Sequence, residues 1–155
     1  MKFFSTLNTQ LDTAQKILEL ITPFVKQDKI LPRTHTQIND NINDFVLLEQ
    51  SGELVACAGL KNCQAGGMGE IYALAVSEKA QNQGISTQLL DKIMQKALAD
   101  NVSKVFALSR HNAQWFLKQG FVKMDISELP KKRQALFDHQ RNSSVFFKIV
   151  AKENL

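Results

Sequence analysis

The stretch Glu70-Ile71-Tyr72-Ala73-Leu74-Ala75-Val76-Ser77-Glu78-Lys79-Ala80-Gln81-Asn82-Gln83-Gly84-Ile85-Ser86-Thr87 decides the fold. From Ile71 to Val76 it is apolar at almost every step, the pattern of a strand covered on both faces. From Gly84 to Ala99 the period lengthens and predicts a helix. Ile85, Leu89, Ile93 and Ala97 form one i+4 row with Leu90, Met94 and Leu98 beside it, and Gln88, Asp91, Lys92, Gln95 and Lys96 take the opposite face. A covered strand that feeds an amphipathic helix is an α/β unit.

Upstream of this unit the chain reads as strands, and before those as helices. Phe45-Val46-Leu47-Leu48 and Leu54-Val55-Ala56-Cys57-Ala58 are joined by Ser51-Gly52, a hairpin signal, and Gly66-Gly67 marks the next turn. Earlier, Leu11, Ala14, Ile17, Leu18 and Ile21 recur at helical spacing, Pro23 is read as opening a second short helix, and Thr36 to Asn43 as one further turn. Downstream, a strand at Lys104–Leu108, a helix at Ala113–Lys118 capped by Gly120 and a strand at Phe121–Met124 follow. A helical segment after Pro130 and a last strand at Val145–Val150 complete the order. The prediction is one α/β domain over residues 1–155, with a mixed and mostly antiparallel central sheet flanked by helices.

Composition agrees with that class. The chain has 155 residues, 44% of them apolar, which suits one domain with a real core. No apolar run approaches the roughly 18–20 residues that span a membrane, and the N-terminus turns polar too soon for a secretory signal. Two cysteines, Cys57 and Cys63, make neither a disulfide framework nor a metal knuckle, and three scattered histidines offer no metal pair, so no metal and a cytoplasmic location are expected. The net charge of +4 is too small to demand nucleic acid and suits a phosphorylated cofactor or an acidic substrate.

The loop between strand and helix has chemistry of its own. Backbone N–H groups at a helix start lack internal partners, and the helix dipole adds partial positive charge there. Gly84 lets a ligand approach the backbone, and Ser86 and Thr87 add hydroxyls without bulk. Such a loop can hold a pyrophosphate through its amides. It can equally be a plain helix start with a glycine in the turn.

On these residues the chain resembles the GNAT family of N-acetyltransferases, whose acetyl-CoA motif is Gln/Arg-x-x-Gly-x-Gly/Ala after an apolar strand. Gln81 and Gly84 match, and Ser86 stands where glycine or alanine is usual. The resemblance implies acetyl-CoA as co-substrate, held by Gln81, Asn82, Gln83, Gly84, Ile85, Ser86 and Thr87. It also implies that the backbone of Leu74, Ala75 and Val76 pairs with the pantetheine arm, Leu74 serving the thioester carbonyl.

A narrower resemblance, to the acetyltransferase domain of N-acetylglutamate synthases, rests on Glu70–Val76, Lys104-Val105-Phe106-Ala107-Leu108-Ser109, Trp115-Phe116 with Gly120-Phe121, and Leu129-Pro130 with Leu136-Phe137 and Gln140-Arg141-Asn142-Ser143. Ile17–Ile21 and Ile30-Leu31-Pro32-Arg33 extend it over nearly the whole chain. It implies transfer of an acetyl group to the α-amino group of L-glutamate, the opening step of arginine synthesis. Arg141 and Ser143 match the family's glutamate-binding Arg and Ser. On chemistry alone a guanidinium can grip a carboxylate bidentately with a hydroxyl beside it, yet a surface arginine reads the same way. Arg33, Leu60 and Ala73 complete the expected substrate side, while Lys131-Lys132-Arg133 reads as a solvated helix face. The synthases carry an amino-acid-kinase domain ahead of this one, and 155 residues leave room for the acetyltransferase fold alone, so a stand-alone short form, monomer or homodimer, is expected.

The amine must lose a proton before it attacks. Glu70 is the candidate base, acting through water, with His111 second. The tyrosine that often protonates the leaving thiolate is replaced by Phe116, and Tyr72 reads as core. Two alternatives stay open. A GNAT enzyme for another amine needs a pocket suited to that amine, acidic for a polyamine, and a non-catalytic CoA-binding module would bind CoA without turnover.

Overall fold

The computed structural model describes residues 12–150. Leu11, the first residue of the predicted amphipathic row, lies outside that range. The first helix, α1 (Thr13–Lys26), is capped by Asp12, whose side chain accepts from the Gln15 N–H at 2.7 Å. Pro23 sits inside this helix and opens no second one. Proline removes one backbone donor, but only near the last turn, where Ile17 and Ile21 already anchor the helix at 0% exposure. α2 (His35–Asp40) begins at a reciprocal Thr34–Gln37 capping box, and the predicted last turn ends instead in a 3-10 segment, Ile42–Asp44.

The strands follow as β1 (Phe45–Gln50), β2 (Glu53–Asn62) and β3 (Met68–Val76). Ser51 and Gly52 both take positive φ, 51° and 77°, as the tight hairpin requires. Then come α3 (Ile85–Ala99), β4 (Lys104–Ser109), α4 (Ala113–Lys118), β5 (Val122–Met124), α5 (Lys131–Ala135) and β6 (Ser144–Ile149). The sheet runs β1-β2-β3-β4-β6-β5, and among the described residues β3–β4 is its single parallel pair. Among the described residues no helix is long and apolar enough to cross a membrane.

Each face of the sheet has its own cover. On one side Val55, Ala58, Leu60, Val105 and Phe146 pack under α3 and α4 with Leu89, Ile93 and Phe116. On the other, Leu54, Cys57 and Ala75 meet Ala14, Ile17, Ile21 and Ile38 of α1 and α2, while Phe106 and Val145 meet Leu129 and Phe137. Phe106, Phe121 and Phe146 are fully buried, each a contribution of about 1.5–3 kcal/mol over an exposed ring.

Two features of β3 position everything that follows. The β3–β4 ladder ends at Glu70↔Phe106, while β4 stays paired with β6 to Ser109↔Ser144. Beyond Glu70 the two parallel strands therefore part. The second feature is a bulge. Cys57 pairs with Ala75 and Gly59 with Tyr72, so Ala73 and Leu74 together span the step that Ala58 makes alone, and Ala73 takes φ 49°. The bulge breaks the alternation. Tyr72 and Ala73 fall consecutively on the α1 side, and Leu74 returns to the α3 side.

Candidate active site

The gap between the parted strands is a cleft of about 460 Å³. Its floor is the β3 edge from Glu70 to Val76. Its walls are Ala107, Leu108 and Ser109 of β4, Trp115 and Phe116 of α4, and Lys29, Ile30, Leu31 and Arg33 from the α1–α2 connection. Its rim is Arg133, Asp138, Arg141 and Ser143.

At the α3 end the loop has the shape its glycine predicts. Asn82 and Gly84 take φ 64° and 76°, and Gly84 is the N-cap of α3 with no side-chain cap bond, so its first N–H groups lack that partner. A methyl group at Gly84 meets nothing within 4 Å, so ligand access to the backbone is open. Gln81 folds back and donates from its side-chain amide to the Val76 carbonyl at 3.1 Å, which ties the loop to the strand. Ser86 accepts from the Trp115 indole N–H at 3.3 Å, a role that glycine or alanine cannot fill. Gln81, Asn82 and Ser86 line the cleft. Gln83 donates to the Lys79 carbonyl and accepts from Gln50, Ile85 is buried under the sheet, and Thr87 is exposed outside the cleft lining.

At the other end Arg33, Arg133 and Arg141 line the cleft. Arg33 lies over the Tyr72 ring at 4.9 Å and donates to the Leu31 carbonyl, and among the described residues it has no acidic partner. Burial depresses its pKa, with Tyr72 and Glu70 working against that. Arg141 donates to Asp28, and Ser143 stands beside it in the rim. Arg141 and Ser143 both precede β6, with Asn142 between them at φ 53°.

Several readings from the sequence need correction here. Leu60 is 2% exposed in the core beneath α3 and does not reach the cleft, because the register of β2 turns it to that face. His111 is exposed outside the cleft, and Ala73 does line it. Arg133 is no solvated charge. Its guanidinium donates to both oxygens of Glu70, and the two side chains are 19% and 14% exposed. Each Glu70 oxygen keeps a further lone pair for water.

Tyr72 packs against the α1-side core, as expected, and reaches beyond it. Its hydroxyl donates to Asp44 at 2.6 Å, its ring lies against Gly59, and it lines the cleft. Burial and the Asp44 carboxylate push its pKa up, so the phenol is neutral at ordinary pH and its proton is already committed. Ser109 was missed. Its hydroxyl oxygen accepts from the Asn112 N–H at 2.9 Å, which leaves the hydroxyl proton free to point into the cleft. A hydroxyl at a strand end carries no sequence signal of its own.

The β3 edge left unpaired beyond Glu70, beside a helix start with no side-chain cap, offers backbone groups that can hold a ligand and stabilise developing charge. The chain belongs to the acetyltransferase (GNAT) family, whose model matches residues 11–121. It is similar to the amino-acid acetyltransferase of Pseudomonas fluorescens, 33% identical over 134 residues, which cover 86% of this chain and 31% of that protein. The amino-acid acetyltransferase of Aliivibrio fischeri is 31% identical over 138 residues, covering 89% of this chain and 31% of that one. Among solved structures, N-acetylglutamate synthase from Neisseria gonorrhoeae, complexed with coenzyme A and N-acetyl-glutamate, superposes with a TM-score of 0.87 at 33% identity, over 92% of this chain and 34% of that one. The chain thus spans about a third of the length of the relatives it matches.

Proposed function

We propose that this chain transfers the acetyl group of acetyl-CoA to the α-amino group of L-glutamate. One observation carries the reading: Arg33 and Arg141, from opposite ends of the sequence, converge on a single cleft with Ser143 beside the open β3 edge. Two guanidinium groups in one pocket match an acceptor with two carboxylates. The charge of the lining supports it. Lys29, Arg33, Arg133 and Arg141 stand against Glu70 and Asp138, an excess of cations that disfavours a polyamine.

The residues present fit acetyl-CoA. The loop with left-handed Asn82 and Gly84 offers amides to a pyrophosphate, and the β3 edge at Leu74, Ala75 and Val76 offers backbone groups to an extended arm. Bound there, acetyl-CoA supplies a thioester whose acyl carbon is open to an amine. The protein supplies placement. Arg33, Arg141 and Ser143 hold the carboxylates, which turns a meeting of two solutes into a step within one complex. The Leu74 backbone serves the acyl oxygen, where negative charge grows. Glu70, fixed by Arg133, accepts the amine proton through water as the C–S bond breaks, and the departing thiolate takes its proton from water or the substrate.

The test is CoA release from acetyl-CoA against a panel of amino acids and polyamines, for wild type and Arg141→Ala. Glutamate gives the highest rate, and R141A raises its KM about 10- to 150-fold, the worth of a hydrogen bond to a charged group. Equal rates across the panel, or an unaffected mutant, overturn the assignment. CoA binding with no turnover on any amine points to a binding module.

A further inference from the structure

Asp28 sits just past α1, and its backbone is firmly set. Its N–H donates to the Val25 carbonyl at 3.0 Å, the next residue, Lys29, donates to Phe24 at 2.9 Å, and φ is 59°. The side chain, 63% exposed, reaches across to two arginines. Arg110 donates to Oδ2 at 2.8 Å and Arg141 donates to Oδ1 at 3.1 Å. A second Arg141 nitrogen donates to the Asp28 carbonyl at 3.2 Å. Both terminal nitrogens of Arg141 are thus engaged by residue 28, although Arg141 itself is only 18% exposed and lines the cleft.

We propose that Asp28 is a specificity-determining residue: its carboxylate covers Arg141 as an internal competitor and yields it to a substrate carboxylate. The proposal rests on the reading of Arg141 as a substrate-carboxylate ligand. Its chemistry is that of like for like, since Asp28 presents the group that a dicarboxylate brings. Two cations share one anion, so the cluster keeps a positive charge and has room for a second carboxylate. An exposed carboxylate binds weakly and can be displaced. Arg110 keeps its own shorter contact, so Asp28 stays moored when Arg141 is taken. The consequence is a threshold. A ligand that also engages Arg33 and Ser143 displaces Asp28, whereas an amine lacking the distal carboxylate does not.

Asp28→Asn and Asp28→Gly test this in the full chain, since both residues accept a left-handed φ and leave the backbone in place. Glutarate, a dicarboxylate with no amine, is titrated calorimetrically in the presence of CoA alongside steady-state kinetics. Both variants tighten glutarate binding and lower the KM for glutamate about two- to fivefold, while the KM for acetyl-CoA does not move. Glutarate binding that is unchanged, weakened or undetectable in wild type and variants alike overturns the proposal. Failure of wild type to acetylate glutamate counts against the proposed reaction alone, because the glutarate titration still decides what Asp28 does.

Discussion

Arg133 donates from Nε to Glu70 Oε1 at 2.6 Å and from Nη2 to Oε2 at 3.1 Å, so the carboxylate on the cleft strand is held from α5, a helix more than sixty positions away. The pair explains how an acid can stand at the parting of β3 and β4 without swinging into solvent. It also separates two roles that one substitution confuses. Glu70→Gln keeps the shape and removes the proton acceptor, so kcat falls by about a hundredfold or more. Arg133→Ala keeps the acceptor and frees it, which costs about 1.5–3 kcal/mol of folding stability and less of kcat than E70Q. Stopped-assay kinetics and thermal melts of the two variants check this. A larger kcat loss in R133A than in E70Q would refute the assignment of the acceptor to Glu70.

Gly84 isolates backbone access at the loop. A side chain there meets no neighbour within 4 Å, but φ is 76°. Gly84→Ala therefore costs stability only through the left-handed backbone, about 1–2 kcal/mol. Its methyl group stands where the amides face a pyrophosphate, so the KM for acetyl-CoA rises about tenfold or more while that for glutamate holds. Titration of CoA by calorimetry reads the effect directly. Normal CoA affinity in G84A would show that the phosphates lie elsewhere.

The chain has one tyrosine, so absorbance at 295 nm follows Tyr72 alone. Burial is the largest cause of its raised pKa and the bond to Asp44 the second. The native phenol therefore ionises well above 10, the value of an unfolded chain, and Asp44→Asn moves the midpoint part of the way back. The sign for stability follows. Above pH 10 the unfolded chain loses this proton while the folded chain retains it, so stability falls as pH rises from there. A native midpoint at 10 would remove Tyr72 from the Asp44 contact.

The two cysteines give a solvent-access test of the same sheet. Cys57 is fully buried between β2 and α1, and burial pushes its thiol up to about 12. Cys63 is half-exposed, its thiol raised by burial and then by Glu70. A thiol-selective reagent at pH 8 labels Cys63 slowly and leaves Cys57 untouched until urea unfolds the chain. Mass spectrometry of the labelled peptides distinguishes them, and early labelling at Cys57 contradicts the packing of α1 on β2.

What could be read from the sequence was whatever repeats along it. The two-residue hairpin at Ser51-Gly52 and the rows of α3 carry their geometry in local spacing, and their positions held to within a residue or two. Gln81, Asn82 and Ser86, expected at the co-substrate loop only through the family resemblance, line the cleft. Pro23 was misread because a proline starts or ends a helix by local rule, whereas packing of Ile17 and Ile21 on the sheet carries α1 through it. The bulge at Ala73 has no glycine to announce it, and it is the bulge that puts Tyr72 and Ala73 on one side. Leu60 was expected at a strand end facing the substrate side, and the register of β2 turns it into the core instead. Arg133 and Asp28 show the largest gap. A charge on a short helix and a charge after a helix look alike on paper, and only the tertiary fold brings one to Glu70 and the other to Arg141.

Arg33 and Arg141 offer a way to tell the two ends of the substrate apart. Arg33 lies over Tyr72 with no acidic partner among the described residues, and Arg141 is shared with Asp28. If each arginine takes one carboxylate, one of them reads the side-chain carboxylate that distinguishes glutamate from glutamine. Wild type then prefers glutamate over glutamine by about tenfold or more, the difference between a charged and a neutral acceptor at a guanidinium. Replacing the arginine that reads the side chain by alanine lowers the glutamate rate toward that for glutamine and abolishes the preference. Replacing the other weakens both substrates equally and leaves the ratio intact. The measurement is kcat/KM for glutamate and glutamine in wild type, R33A and R141A. A preference that survives in both variants would mean that neither guanidinium reads the side chain, and that the two converge on a single carboxylate.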